Sequence, residues 1–164
     1  VSSLFGARVQ RVEDDRLIRG RGAYLDDLGA GALAAAFVRS PHAHARITDI
    51  DVSAALEVPG LVAIYTYDDL TGRLAEPLPL LIPHPALTHG RTPYPLAREE
   101  VNHVGEAVVM VVAADRYLAE DAADLVDVSY EPLPAVVGID AARGARHLVH
   151  DDVPGNVAAN AVQE

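Results

Sequence analysis

The seven histidines, the carboxylate doublets Glu99-Glu100 and Asp151-Asp152, and the glycine pair Gly20 and Gly22 are the residues whose types and spacing could do chemistry in this sequence. His42 and His44 stand two apart, so in an extended strand their rings would share a face. A metal would need that pair plus one or two further ligands. His84, His89, His103, His147, His150 or a carboxylate could supply them, but the spacing follows no metal motif, and the pair reads as structural. Gly20-Arg21-Gly22 carries part of a dinucleotide-binding loop, which follows a buried strand, opens a helix and keeps a third glycine three residues on. Here the preceding DDRLIR is charged and Leu25 stands where that glycine belongs, so a glycine-permitted tight turn is expected. Glu99-Glu100 and Asp151-Asp152 would have to converge in a cleft with shifted pKa values to act as acid and base. They read as solvated charge. Ser40 and Ser53 lack the strained G-x-S-x-G elbow of a nucleophile. No catalytic residue, cofactor-binding residue or metal ligand is assigned.

The elements that would position these groups are clearest from Val101 to Ala142. Val108–Val112 is a continuous apolar run, long enough for a strand buried on both faces. Asp115 can cap a helix whose apolar positions Leu118, Ala122, Leu125 and Val126 follow three-four spacing. Val126, Val128 and Tyr130 then alternate like a half-buried strand that Pro132 ends. Earlier, residues 32–39 and 45–52 read as strands joined by a turn at Pro41. Ser53 can cap a short helix through Leu56, Pro59-Gly60 is a turn, 61–65 is a strand and 67–70 a helical turn. The expected class is α+β, with a small mixed sheet of strands 32–39, 45–52, 61–65, 107–113 and 125–130 and one main helix, 115–124.

Residues 71–98 break this pattern. They hold six of the eleven prolines, Pro77, Pro79, Pro83, Pro85, Pro93 and Pro95, a density that neither a helix nor a central strand survives. A loop this long is usually functional or disordered. Leu78, Leu80, Leu81, Ile82 and Leu87 argue against disorder, because that much apolar surface seeks a partner.

At 164 residues a single domain with a substantial core is expected. No apolar run approaches the ~20 residues of a membrane helix, and the N-terminal VSSLFGARVQRVEDD does not read as a secretory signal. The absence of cysteine excludes disulfides, thiolate catalysis and iron–sulfur ligation by this chain. All 13 basic residues are Arg, and the net charge of −11 argues against a nucleic-acid partner. A membrane partner is not expected either.

Several segments, in order, resemble the large subunit of the molybdenum hydroxylases, the family of xanthine dehydrogenases, aldehyde oxidases and aerobic carbon monoxide dehydrogenases. Arg11, Glu13 and Asp14 followed by Gly20, Gly22, Tyr24 and Asp27 are similar to the family's opening R-x-E-D … G-x-G-x-Y-x-x-D segment. SPHAHA at 40–45, Ile50-Asp51, Pro59-Gly60, Asp68–Leu70, VGEAV at 104–108 and YEPLPAV at 130–136 fall where the family has them. Ala107 stands where the family often has Pro, and Val109 where it often has Ala. The resemblance spans residues 8–142 and implies the N-terminal α/β-hammerhead domain at 32–142. Residues 1–31 would be an extended lead-in and 143–164 a tail or linker toward a molybdenum-cofactor domain.

The resemblance further implies a cytoplasmic complex that hydroxylates an aldehyde, purine, N-heterocycle or carbon monoxide. That complex would carry a molybdopterin-type molybdenum cofactor, iron–sulfur clusters and FAD. The partners implied are a molybdenum-cofactor-binding chain or domain and iron–sulfur and FAD subunits. This chain, an expressed fragment, a proteolytic piece or a separately encoded subunit, would supply scaffold and substrate-channel wall and bind no cofactor alone. Leu80, Leu81, Ile82, His84, His89 and Tyr94 are then the candidates for a substrate channel or an interface. Two rival readings are a free-standing binding or assembly module with the same fold and, more weakly, a His/carboxylate metal hydrolase.

Overall fold

The structure, a computed structural model, describes residue 6 and residues 11–25, 31–74 and 76–162. It divides into two units, Val1–Ala32 and Leu33–Glu164. In the first, helix α1 (Asp14–Ile18) is laced by the exposed ion pairs Arg16–Glu13 and Arg19–Asp15. Gly20 follows with φ +66°, the tight turn expected of the glycine pair. Asp27 of the opening motif lies outside the described residues.

The second unit runs β1 (Ala34–Arg39), β2 (Ala45–Asp51), a 3-10 turn (Ala55–Glu57), β3 (Leu61–Tyr65), α2 (Tyr67–Leu70), β4 (Glu100–Val101), β5 (Ala107–Ala113), α3 (Arg116–Asp124), β6 (Asp127–Pro132) and α4 (Ile139–Gly144). The α+β class holds, but the single mixed sheet does not. Two three-stranded sheets form, β1-β5-β3 and β4-β2-β6, and every described pairing is antiparallel. The reason lies in the connections. Every connection from β1 to β6 leaves one sheet and enters the other, so no two consecutive strands are paired.

The crossing from β1 to β2 is a built corner. His42 N–H donates to the buried Ser40 hydroxyl (3.0 Å), while Ser40 N–H donates to Glu106 C=O (2.9 Å) and Ser40 C=O accepts from Gly105 N–H (2.8 Å) in the segment before β5. His42 and His44 therefore sit in a turn and not along a strand. At the far end of β2, Ser53 does not cap the 3-10 turn. Its own N–H donates to the Asp51 carboxylate (2.8 Å), whose pKa is lowered by hydrogen bonds from Ser53.

The core sits where β5 meets β1, β3 and α3. Val108, Val109, Val111 and Ala113 are completely shut off from solvent. Val38 pairs with Val109 and Arg39 with Ala107, so Val108 is an extra residue in β5. That bulge breaks strict alternation and lets two successive valines enter the core. Helix α3 starts as expected, with the Asp115 carboxylate accepting from Leu118 N–H (3.0 Å). Its buried stripe differs by one residue from the expected one. Ala119 and Ala122 lie fully buried with Ala123 and Val126 packed beside them, whereas Leu125 is 47% exposed. Small side chains let the helix approach closely, and the bulky Leu125 lies at its end as the cap. Leu118, half-buried, reaches over Gly60, where φ is +88° and an added Cβ would lie 2.7 Å from the Leu118 Cδ1, so a side chain there is strained and must push Leu118 aside. Strand β6 begins two residues later than expected. As an edge strand it accepts Pro132 as its last residue.

Candidate functional site

The proline-rich excursion leaves from α2 and returns to β4. Its departure is fixed by a capping box: Thr66 N–H and hydroxyl both donate to the Asp69 carboxylate at 2.8 Å, which lowers the Asp69 pKa. The outgoing and returning arms are then tied together. Leu78 N–H donates to Pro93 C=O (2.9 Å), and the Thr92 hydroxyl donates to Leu78 C=O. Further along, the arm is clasped to the C-terminal segment. Leu87 bridges Ala159, Thr88 N–H donates to Ala158 C=O (3.0 Å), and Asn160 N–H donates to Ala86 C=O (2.8 Å). Asn156 holds that segment by bonds to Ala142, His147 and Val149.

These ties divide the six candidate residues into two groups. Leu80, Leu81, Ile82 and His84 lie at the exposed tip, with Leu81 85% and Ile82 80% exposed. The His84 Nδ1 only accepts from Ala86 N–H (3.1 Å). His89 and Tyr94 lie on the returning arm and line clefts. Two adjoining clefts, of about 650 and 370 Å³, share Arg91, Thr92, Tyr94 and Asp152. His89 lines the smaller, where its Nδ1 lies 3.2 Å from both the Thr88 hydroxyl and Val157 C=O. The Tyr94 ring meets Tyr67 edge-on with centroids 5.1 Å apart.

The larger cleft collects charge from four separate segments. Arg91 binds both oxygens of Asp152 at 2.5 and 2.6 Å. His44 faces Glu100 at 3.6 Å, and His103 faces Glu106 at 3.4 Å. Glu106 also accepts from Asn102 N–H (2.5 Å). Burial, helped by the nearby Arg91, pushes the His150 pKa down and favours its neutral form. Of the doublets read as solvated charge, Glu99 pairs with Arg98, Glu100 with His44 and Arg46, and Asp152 with Arg91. Sequence reasoning did not pick out Arg91, Glu106, His150 or Asp152 as one group. Arg91 and Asp152 are 61 residues apart, and no local pattern announces their meeting.

Among the described residues, no three His, Cys, Asp or Glu side chains gather as a metal site. The His44 Nδ1 is engaged by Pro134 C=O (2.9 Å), and the His42 ring tilts against Tyr130 with centroids 4.9 Å apart. The arrangement offers charge and hydrogen bonds to a passing or docked polar group beside an apolar tip.

The family model for the aldehyde oxidase and xanthine dehydrogenase a/b hammerhead domain matches residues 19–134. The chain belongs to this family. It is 44% identical to the carbon monoxide dehydrogenase large chain of Afipia carboxidovorans, over 80% of this chain and 16% of that one. The nicotine 6-hydroxylase large subunit of Paenarthrobacter nicotinovorans is 42% identical, over 82% of this chain and 16% of its own length. Among solved structures, quinoline 2-oxidoreductase from Pseudomonas putida 86 superposes with a TM-score of 0.75 at 40% identity, covering 92% of this chain and 19% of that one. The hammerhead chain thus spans less than a fifth of these relatives. No helix among the described residues is long and apolar enough to cross a membrane.

Proposed function

We propose that this chain is the hammerhead portion of a molybdenum-dependent oxidoreductase acting on an aldehyde, purine, N-heterocycle or carbon monoxide. Its own share is scaffold and substrate-channel wall. Residues 1–31 serve as lead-in and 143–164 as the link toward a molybdenum-cofactor domain. Iron–sulfur and FAD subunits complete the assembly, which we place in the cytoplasm.

Cysteine is absent, so this chain has no thiolate to offer an iron–sulfur cluster. Cofactor binding and turnover are assigned, on this reading, to the portion outside this chain. The observation that carries the channel reading is the pinned excursion, because its arms are tied while its apolar tip stands in solvent. Holding such a tip in place makes sense where it meets something, and an apolar wall contact contributes about 1–3 kcal/mol to substrate discrimination.

Leu81→Ser, His89→Ala and Tyr94→Phe in the purified complex test this. The expected result is a shift in KM or substrate preference of about 10-fold with unchanged molybdenum content. Molybdenum lost in step with activity would assign the excursion to the cofactor site instead. Unchanged kinetics in all three variants would reduce it to packing.

A further inference from the structure

The outward face of sheet β1-β5-β3 is mostly apolar, with the phenol of Tyr65 and, at its rim, Arg39 as its polar members. Cross-strand pairing sets Ala35, Val112 and Ala63 in one row and Phe37, Met110 and Tyr65 in the next. Strand alternation turns all six away from the Val109–Val111 side that α3 covers. Phe37 is 41% exposed, Ala35 is exposed and the other four are half-buried. Only at the rim does charge appear, where the Arg39 guanidinium lies 5.3 Å from the centre of the Phe37 ring. A half-solvated antiparallel sheet ordinarily alternates apolar-in with polar-out, and this one does not.

We infer that this face is an internal interface, covered by an apolar layer from the part of the large-subunit polypeptide outside this chain. The inference rests on reading the chain as the hammerhead portion of a longer subunit. Three observations choose that occupant. Six side chains offer on the order of a few hundred Å² on this side, below the ~800 Å² per partner of a standard interface between free proteins, which favours a cover tethered at high effective concentration. A second copy would bring another −11 charge against the first. The matched relatives are more than five times the length spanned by this chain, as its 16% coverage requires.

Met110 is the only methionine of the chain and stands in the middle strand of this face, so it reports on its own cover. The test is peroxide oxidation of Met110 in the purified native complex and in the same complex in urea, read by mass spectrometry. The expected native rate is slower by about a hundredfold, more than half-exposure would give, and independent of dilution. A rate close to that in urea overturns the inference, as does protection that disappears on dilution, which would mark a second copy. In a separate arm, Phe37→benzoylphenylalanine is photo-crosslinked in the complex. Adducts on the large-subunit polypeptide beyond this domain support the cover, and adducts on another subunit overturn it. Molybdenum measured on the same sample tests the functional reading separately. A protected Met110 in a molybdenum-free assembly upholds the cover and removes the oxidoreductase reading. An open Met110 in a molybdenum-replete complex does the reverse.

Discussion

Ala107–Ala113 and residues 77–82 are both apolar runs, AVVMVVA and PLPLLI, yet they end in opposite places. The first forms a central strand with four residues completely buried, paired on both edges and roofed by α3. The second stands in solvent, with Leu81 and Ile82 the most exposed of its aliphatic side chains. Composition does not separate them. Alternating prolines remove the N–H groups that a ladder needs, so the second run cannot join a sheet. Burial here follows backbone hydrogen-bonding capacity, and hydrophobicity only fills the places that capacity provides.

The contrast can be broken most sharply at Val109. Val109→Asp places an unpaired charge in the core and should cost more than about 4 kcal/mol, unfolding the chain by circular dichroism. A folded variant would mean that β5 is not the centre of the core. Next in size is Gly60→Val, which meets both a positive φ and the Leu118 side chain. Its expected cost is about 2–4 kcal/mol in urea denaturation. A loss under about 0.5 kcal/mol would show that α3 shifts freely on the sheet. The smallest effects belong to the exposed leucines. Leu81→Ser in the excursion and Leu125→Ala at the end of α3 should each lower stability by less than about 1 kcal/mol. A cost of 2 kcal/mol or more at Leu81, on the scale of about 2–5 for a buried leucine, would place the tip in a core and erase the comparison.

Strands β1, β2, β3 and β5 and helix α3 were legible in the sequence because period-two and three-four patterns coincide there with Asp115, Pro59-Gly60 and the Pro41 turn. Sheet membership was not legible, because alternation is the same whichever neighbour a strand takes. Leu125 was misplaced for a related reason. Two adjacent helical stripes both fitted the spacing, and the close approach permitted by Ala119 and Ala122 decided between them. At the candidate site, the resemblance picked out the excursion, and His89 and Tyr94 do line the clefts. The Arg91–Asp152 pair and the buried position of His150 depend on tertiary closure alone, which no local window contains.

The clasp between the excursion and the C-terminal segment sets an order of assembly. Thr88 reaches Ala158 across 70 residues, and β4, β5, α3, β6 and α4 lie within that span. Joining ends so far apart costs conformational entropy that the few bonds of the clasp cannot offset unless the intervening chain has already drawn them together. The body between them must therefore condense first. The clefts, walled by both clasped arms, are then the last part of the domain to form and the first to open.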